Sequence, residues 1–383
     1  MFITPTPCVA GTHLCARLVA TLVPLLASAV MSAPVQAAVV ADGYGFTNFD
    51  FPDSGTNAGA GTNLNGIANN GAVVGFAIGN NGAFINFVRN PNGTFTPLTA
   101  FNNSPTAMAL GINSAGDVVG SQNGAAVFLA PGGSLQTLAT PPGGTSTSAF
   151  GVNDKGWIVG QLTKADGAMP GFVVPSHSSS TFTTVNAPSG PDTVNAQGIN
   201  DHGLVVGFYV GADGQDHGFD AKISSFGGVV TGTAIADPTI PNVAGEPGAT
   251  FVFSQILGVN DQGIAVGYYG DSTTSQHGFL YNTKTGVYTF LDDPSEQFNN
   301  GVEVTQITGI NNFDEITGFY SDANGVFHGF TACPTGLTCA ASLAVPEPGT
   351  WTLMSLGFVA LGFGSFRGSR RAARGARNCL AET

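Results

Sequence analysis

Three histidines are followed by the same two residues: His217-Gly218-Phe219, His277-Gly278-Phe279 and His328-Gly329-Phe330. Histidine ligates metals and moves protons near neutral pH, so a recurring one raises the question of a metal centre or a general base. Repetition argues the other way, because equivalent positions in successive repeats are held apart, whereas zinc needs every nitrogen ligand at about 2.0–2.1 Å. Each histidine is therefore expected to hydrogen-bond a neighbouring strand or turn, and no metal site or cofactor is assigned. Calcium loops pack several carboxylates into one short stretch. Asp213-Gly214-Gln215-Asp216 offers two, and Asp292-Asp293 with Glu296 is another sparse cluster; turn chemistry accounts for most of these positions. The chain has no Gly-x-Ser-x-Gly elbow, His-Glu-x-x-His, phosphate loop or dinucleotide fingerprint, so no catalytic residue is assigned.

These residues sit in a repeat. One motif recurs six times: GIANNGAVVG at Gly66, GINSAGDVVG at Gly111, GVNDKGWIVG at Gly151, GINDHGLVVG at Gly198, GVNDQGIAVG at Gly258 and GINNFDEITG at Gly309. The copies are spaced 40 to 60 residues apart. Asn260-Asp261-Gln262-Gly263 reads as a tight hairpin turn, with Asn260 bonding back to the backbone and Gly263 left-handed. Copy six has Asp314 at that position, and aspartate tolerates the conformation. The Val-Val-Gly-Phe-Tyr run that follows is β-branched and aromatic, a strand. The His-Gly-Phe segment is a third strand. A fourth precedes each copy and ends near a proline, as in Phe49-Asp50-Phe51-Pro52 and Tyr288 to Pro294.

Four short strands per 40 to 60 residues is the period of a propeller blade. The expected fold is all-β, a six-bladed β-propeller over residues 44–332; a linear β-solenoid and two stacked sandwiches are the alternatives. Copies one and two lack His-Gly-Phe, and Gly227 to Ala249 reads as a long loop on one face and a place for a partner to bind. The units resemble the extracellular HAF-type repeats of bacterial secreted proteins over residues 60–332, a resemblance that implies little about activity.

Composition narrows the function. Charged residues make up 9% of 383, and the formal net charge is −13. That excludes a coiled coil, a long helical bundle and a basic nucleic-acid binder. Between Ala41 and Leu343 only Arg89, Lys155, Lys164, Lys222 and Lys284 are basic. The ends are of different material. Arg17 precedes the apolar run Leu18–Val30 and small residues near Ala37-Ala38, the order of a secretory signal over residues 1–38. The run would span only about 20 Å, short for a membrane helix.

At the far end, Val345-Pro346-Glu347-Pro348 precedes an uncharged stretch, Gly349–Phe366, and then Arg367, Arg370, Arg371, Arg374 and Arg377. Eighteen helical residues rise about 27 Å, enough to span a bilayer, and the arginines would hold the tail in the cytoplasm. The two prolines keep Glu347 in an extended strip above the membrane. This order resembles the PEP-CTERM sorting signal of Gram-negative bacteria over residues 345–377. The resemblance implies an exosortase-type membrane peptidase as partner and recognition roles for Val345, Pro346, Glu347 and Pro348. Cys333 and Cys339 are the only cysteines of the body. In an oxidising compartment they are expected to close a small loop in a 333–344 stalk; two free thiols are the alternative.

The sequence thus points to an exported protein, anchored by its C-terminal helix and then presented at the cell surface or released. Its propeller is expected to be non-catalytic and to bind extracellular polysaccharide or a surface protein. A secreted propeller enzyme acting on glycans is the second reading. It would place converging carboxylates in a deep channel, whereas a binding module would present a shallow face with an exposed aromatic.

Overall fold

In the computed structural model the chain is described at residues 39–41, 43–102, 106–189, 192–241 and 248–337. Every regular element there is a β-strand, and no helix among the described residues is long and apolar enough to cross a membrane. The expected signal at 1–38, the helix at 349–366 and Cys339 lie outside the described residues.

The strands form six antiparallel four-stranded units. Blade 1 is Gly61–Ile67, Val73–Ile78, Phe84–Arg89 and Phe95–Pro97; blade 2 is Met108–Ile112, Val118–Gln122, Ala125–Leu129 and Gln136–Thr137. Blade 3 is Gly144–Val152, Ile158–Lys164, Gly171–Val174 and Thr183–Asn186, and blade 4 is Val194–Ile199, Leu204–Val210, Asp216–Lys222 and Thr233–Ala234. Blade 5 is Phe251–Val259, Ile264–Asp271, Gln276–Asn282 and Val287–Phe290. Blade 6 takes Thr305–Ile310, Ile316–Ser321 and Phe327–Pro334 from the end of the domain and Tyr44–Phe49 from its beginning. That closing strand pairs antiparallel with the last one, Tyr44 opposite Pro334 and Phe49 opposite Gly329. The fourth strand read as opening each unit is therefore the outer strand of the blade before it.

Each of six apolar clusters is shared by two adjacent blades. Val173 and Val185 of blade 3 pack with Val194 and Phe219 of blade 4. Blades 2 and 3, 5 and 6, 1 and 2, and 4 and 5 share four more. The last joins Phe49 and Phe51, at the end of blade 6, to Leu64 and Phe87 of blade 1. Six seams among six blades leave no free edge to the ring, a β-propeller. Burying a phenylalanine such as Phe87, Phe219 or Phe330, all fully inaccessible, contributes roughly 1.5–3 kcal/mol per seam.

Two expectations are corrected. Gly227 to Ala249 is not simply a loop: Val229–Thr231 adds a parallel fifth strand to blade 3, and Thr233–Ala234 is the outer strand of blade 4. The run holds β-branched residues, and two sheets offer it unpaired edges. Cys333 and Pro334 belong to the last strand rather than to a stalk, because the closing strand gives their backbone partners. Cys333 is disulfide-bonded.

Candidate functional site

The recurring motif builds the axis of the ring. Its first glycine is the next-to-last residue of the innermost strand of each blade, where neighbouring backbones nearly touch. A Cβ on Gly198 would come within 3.0 Å of the Gly258 Cα, and one on Gly309 within 3.1 Å of the Gly66 Cα. Two small cavities, about 70 and 80 Å³, are lined by all six blades there. Both fall far below the roughly 300–1,000 Å³ of a small-molecule pocket.

The turn after that glycine forms as its chemistry predicts. Gly263 has φ +82° and Asp314 φ +57°, and Asn260 Oδ1 accepts from the Ile264 N–H at 2.9 Å. The asparagine does more than shape the turn. Its amide reaches the next blade's equivalent carbonyl: Asn113 to Asn153 (3.1 Å), Asn153 to Asn200 (3.0 Å), Asn200 to Asn260 (2.9 Å), Asn260 to Asn311 (3.2 Å) and Asn311 to Ala68 (3.3 Å). Ala68 stands where copy one departs from the motif, so it accepts without passing the bond on.

The following position closes a second ring without a gap. Each backbone N–H donates to the side-chain oxygen in the next blade: Asn69 to Ser114 (3.3 Å), Ser114 to Asp154 (2.7 Å), Asp154 to Asp201 (3.1 Å), Asp201 to Asp261 (2.8 Å), Asp261 to Asn312 (2.8 Å) and Asn312 to Asn69 (2.7 Å). These residues rim a shallow polar cup at the mouth of the axis. Burial, then the charges of Asp261 and Asp154, push the Asp201 carboxyl above the usual range. From the sequence alone both positions read as turn formers. The overlooked signal is a second polar residue in all six copies, one more than a turn requires.

Beside the cup, on the same face, Phe313 is 61% exposed. The next residue, Asp314, lines a groove of about 410 Å³ with Tyr44, Ile264, Leu280, Asn282, Thr285, Val287 and Thr289. Burial, then the charge of Asp314, raises the Tyr44 pKa well above its ordinary value. Asn312, Phe313 and Asp314 thus carry one surface from the axis to the seam between blades 5 and 6.

The His-Gly-Phe histidines lie toward the opposite face, each between two carboxylates of its own blade. His217 contacts Asp237 at 2.9 Å and Asp213 at 3.1 Å. His277 contacts Asp292 at 3.0 Å and Asp271 at 3.9 Å, and His328 contacts Asp50 at 2.9 Å and Asp322 at 3.6 Å. Each ring also packs on a tyrosine, Tyr209, Tyr269 or Tyr320. They tie the second, third and fourth strands together rather than converge. Among the described residues no group of three or more His, Cys, Asp or Glu is disposed to hold a metal ion. Val345, Pro346, Glu347, Pro348, Arg367, Arg370, Arg371, Arg374 and Arg377 lie outside the described residues.

The class is therefore a six-bladed β-propeller closed by the strand Tyr44–Phe49. Residues 344–371 match the family model of the PEP-CTERM protein-sorting motif, which makes the chain one that carries a signal for export and exosortase processing. No curated protein matches the chain. Among solved structures it is similar to the β-propeller domain of the Trilobed protease from Pyrococcus furiosus, at 8% identity and TM-score 0.41 over 82% of this chain and 100% of that one. It is also similar to the Aleuria aurantia lectin, a six-bladed β-propeller, at 11% identity and TM-score 0.37 over 72% and 97%. Trypanosoma rangeli sialidase follows at 10% identity and TM-score 0.32 over 80% and 55%. At these scores the propeller assignment rests on the chain's own ring closure.

Proposed function

We propose that this is an exosortase-sorted surface or matrix protein whose propeller binds a hydroxyl-rich partner, an extracellular polysaccharide or a surface protein bearing one, without catalysing a reaction. The observation that carries this reading is the continuous surface from the polar cup over Phe313 to the Tyr44 groove. Sugars are bound by stacking their apolar faces on an aromatic ring while carboxylates and amides take their hydroxyl protons, and that surface supplies both kinds of group. The near-closed axis also supports it, since a cavity of about 70 Å³ admits no sugar ring.

The enzyme reading draws on Asp201, a carboxyl with a raised pKa between two other acids, a pattern used by glycoside hydrolases. Against it, Asp154, Asp201 and Asp261 each already accept a backbone N–H from the neighbouring blade. The test is equilibrium binding of the purified chain to polysaccharide from the producing cells and to a panel of defined glycans. Phe313→Ala should weaken binding at least tenfold, on the order of 1.4 kcal/mol, with thermal stability unchanged. Unaltered binding by that variant, or release of reducing ends that stops in Asp201→Asn, would reject the proposal.

A further inference from the structure

The connection from blade 5 to blade 6, residues 291–304, carries four carboxylates, Asp292, Asp293, Glu296 and Glu303, and no lysine or arginine. It also touches the ring closure. Asn48, the last residue but one of the closing strand, donates its amide to Ser295 Oγ at 2.9 Å and to Asp293 Oδ1 at 3.3 Å, the latter across 245 residues of sequence. The Ser295 N–H donates to that same Asp293 oxygen at 2.8 Å.

Asp293 is inaccessible, and its second oxygen, Oδ2, meets no donor. An ionised carboxylate there would be buried with one oxygen unanswered, which is strongly disfavoured. As the neutral acid it sheds the charge and gains a donor of its own. The fold marks the place as one for an uncharged side chain. In the connection that follows the closing strand it is filled by Phe51, buried like Asp293. Each of the two precedes a proline, and each donates its backbone N–H to a threonine hydroxyl, Thr62 or Thr305. Thr305 then passes the bond on, its Oγ1 donating to Glu296 Oε2 at 2.5 Å.

Burial is the main cause that pushes the Asp293 and Glu296 carboxyls above their usual range, and for Glu296 the charges of Asp292 and Glu303 add to it. Round Asp293 stand Tyr320, His328 and, against the His328 ring, Asp50 and Asp322. Round Glu296 stand Asp292, Glu303 and His277, with Asp271 against the His277 ring. Neither set holds a lysine or arginine, so no permanent cation balances the acids. We propose that this connection is a proton-dependent latch on the ring: with Asp293 and Glu296 as neutral acids it packs against the closing strand and holds Asn48, and when both ionise in mildly alkaline surroundings it releases that end of the strand.

The direction of both shifts fixes the sign. A carboxyl that keeps its proton longer in the folded chain contributes stability that is complete below its unfolded pKa and is lost as pH rises through the folded value. Each such proton weakens folding about tenfold per pH unit in that interval, so two together make closure steeply dependent on pH. An exported chain meets the pH of its surroundings directly, and the latch reads it.

The test uses the full chain and amide hydrogen exchange between roughly pH 5.5 and 9, corrected for the intrinsic rate at each pH. Protection of residues 44–50 should fall at least about tenfold further than that of Met108–Ile112 in blade 2. Asp293→Asn combined with Glu296→Gln, neutral and of the same shape, should abolish that excess, and His328→Gln should leave it in place. Equal losses in the two segments of the unaltered chain would overturn the proposal, and this comparison stands even where the double variant does not fold. So would an excess that persists in the double variant, or one that vanishes in His328→Gln, which would assign the dependence to the His328–Asp50 pair.

Discussion

His217 shows how much a single side chain can be asked to do. Carboxylates only accept, so a ring with Asp213 on one nitrogen and Asp237 on the other is fully bonded only as the imidazolium. Burial alone would lower its pKa; the hydrogen bonds and charges of Asp213 and Asp237 outweigh that and raise it. A folded-state pKa above the unfolded value near 6.5 contributes stability that is fully present below that pH and is lost as pH rises through the folded value. Asp213, held below its ordinary range first by its hydrogen bond with His217, contributes stability that is lost at the acid end as pH falls through its own folded value. Melting temperature should therefore fall as pH is raised from about 6 to 8, and His217→Gln should flatten that segment of the profile. A profile of unchanged slope would show that the clamp holds no proton. The need for a partner at His217 was legible from the repeat; that the partners are two acids was not, because Asp237 comes from a stretch read as loop.

At the scale of the element, the last glycine of the motif reveals a feature that recurs six times. The innermost strand of every blade has a bulge, between Leu64 and Gly66, Ala109 and Gly111, Ala149 and Gly151, Ala196 and Gly198, Ile256 and Gly258, and Ile307 and Gly309. The bulge drives a carbonyl against the second strand at that glycine. A Cβ on Gly207 would lie 1.9 Å from the Asn195 carbonyl oxygen and 2.8 Å from the Phe219 ring, and neither can move without breaking the sheet or the seam. Gly207→Ala should cost at least the roughly 1–3 kcal/mol of an overpacked core. Gly214→Ala is the contrast: its Cβ meets nothing within 4 Å, and its penalty comes from φ alone, +81°, about 1 kcal/mol. Urea denaturation of the two variants measures the difference, and equal losses would mean that the bulge yields. Strand, turn and period were all readable at this scale, since each is a local pattern. The bulge was not, because it shows only when two strands are paired.

At the scale of the whole molecule, the ring depends on its first and last strands meeting, and Cys333 lies in the last of them, opposite Gly45. We propose Cys339 as its disulfide partner, which would lock the end of the propeller just ahead of the sorting motif. Processing should leave the propeller whole. The mature protein from cells with a functional exosortase-type peptidase should have lost both ends, with a C-terminus near Pro348. Cells without that peptidase should yield a chain heavier by the C-terminal tail, and equal masses in the two would reject sorting by this route.

The sequence by itself determined what is local or periodic: six copies of a strand–turn–strand unit, left-handed turns at Gly263 and Asp314, and a sorting motif written as contiguous residues. These follow from backbone preferences and side-chain spacing, which act over a few residues. Only the tertiary structure decided that Asn113 speaks to Asn153 and Asp261 to Asn312, that Tyr44–Phe49 completes the last blade, and that Asn48 and Asp293 share a buried site. Those contacts join residues 40 to 290 positions apart, and they exist only because six blades close into a ring.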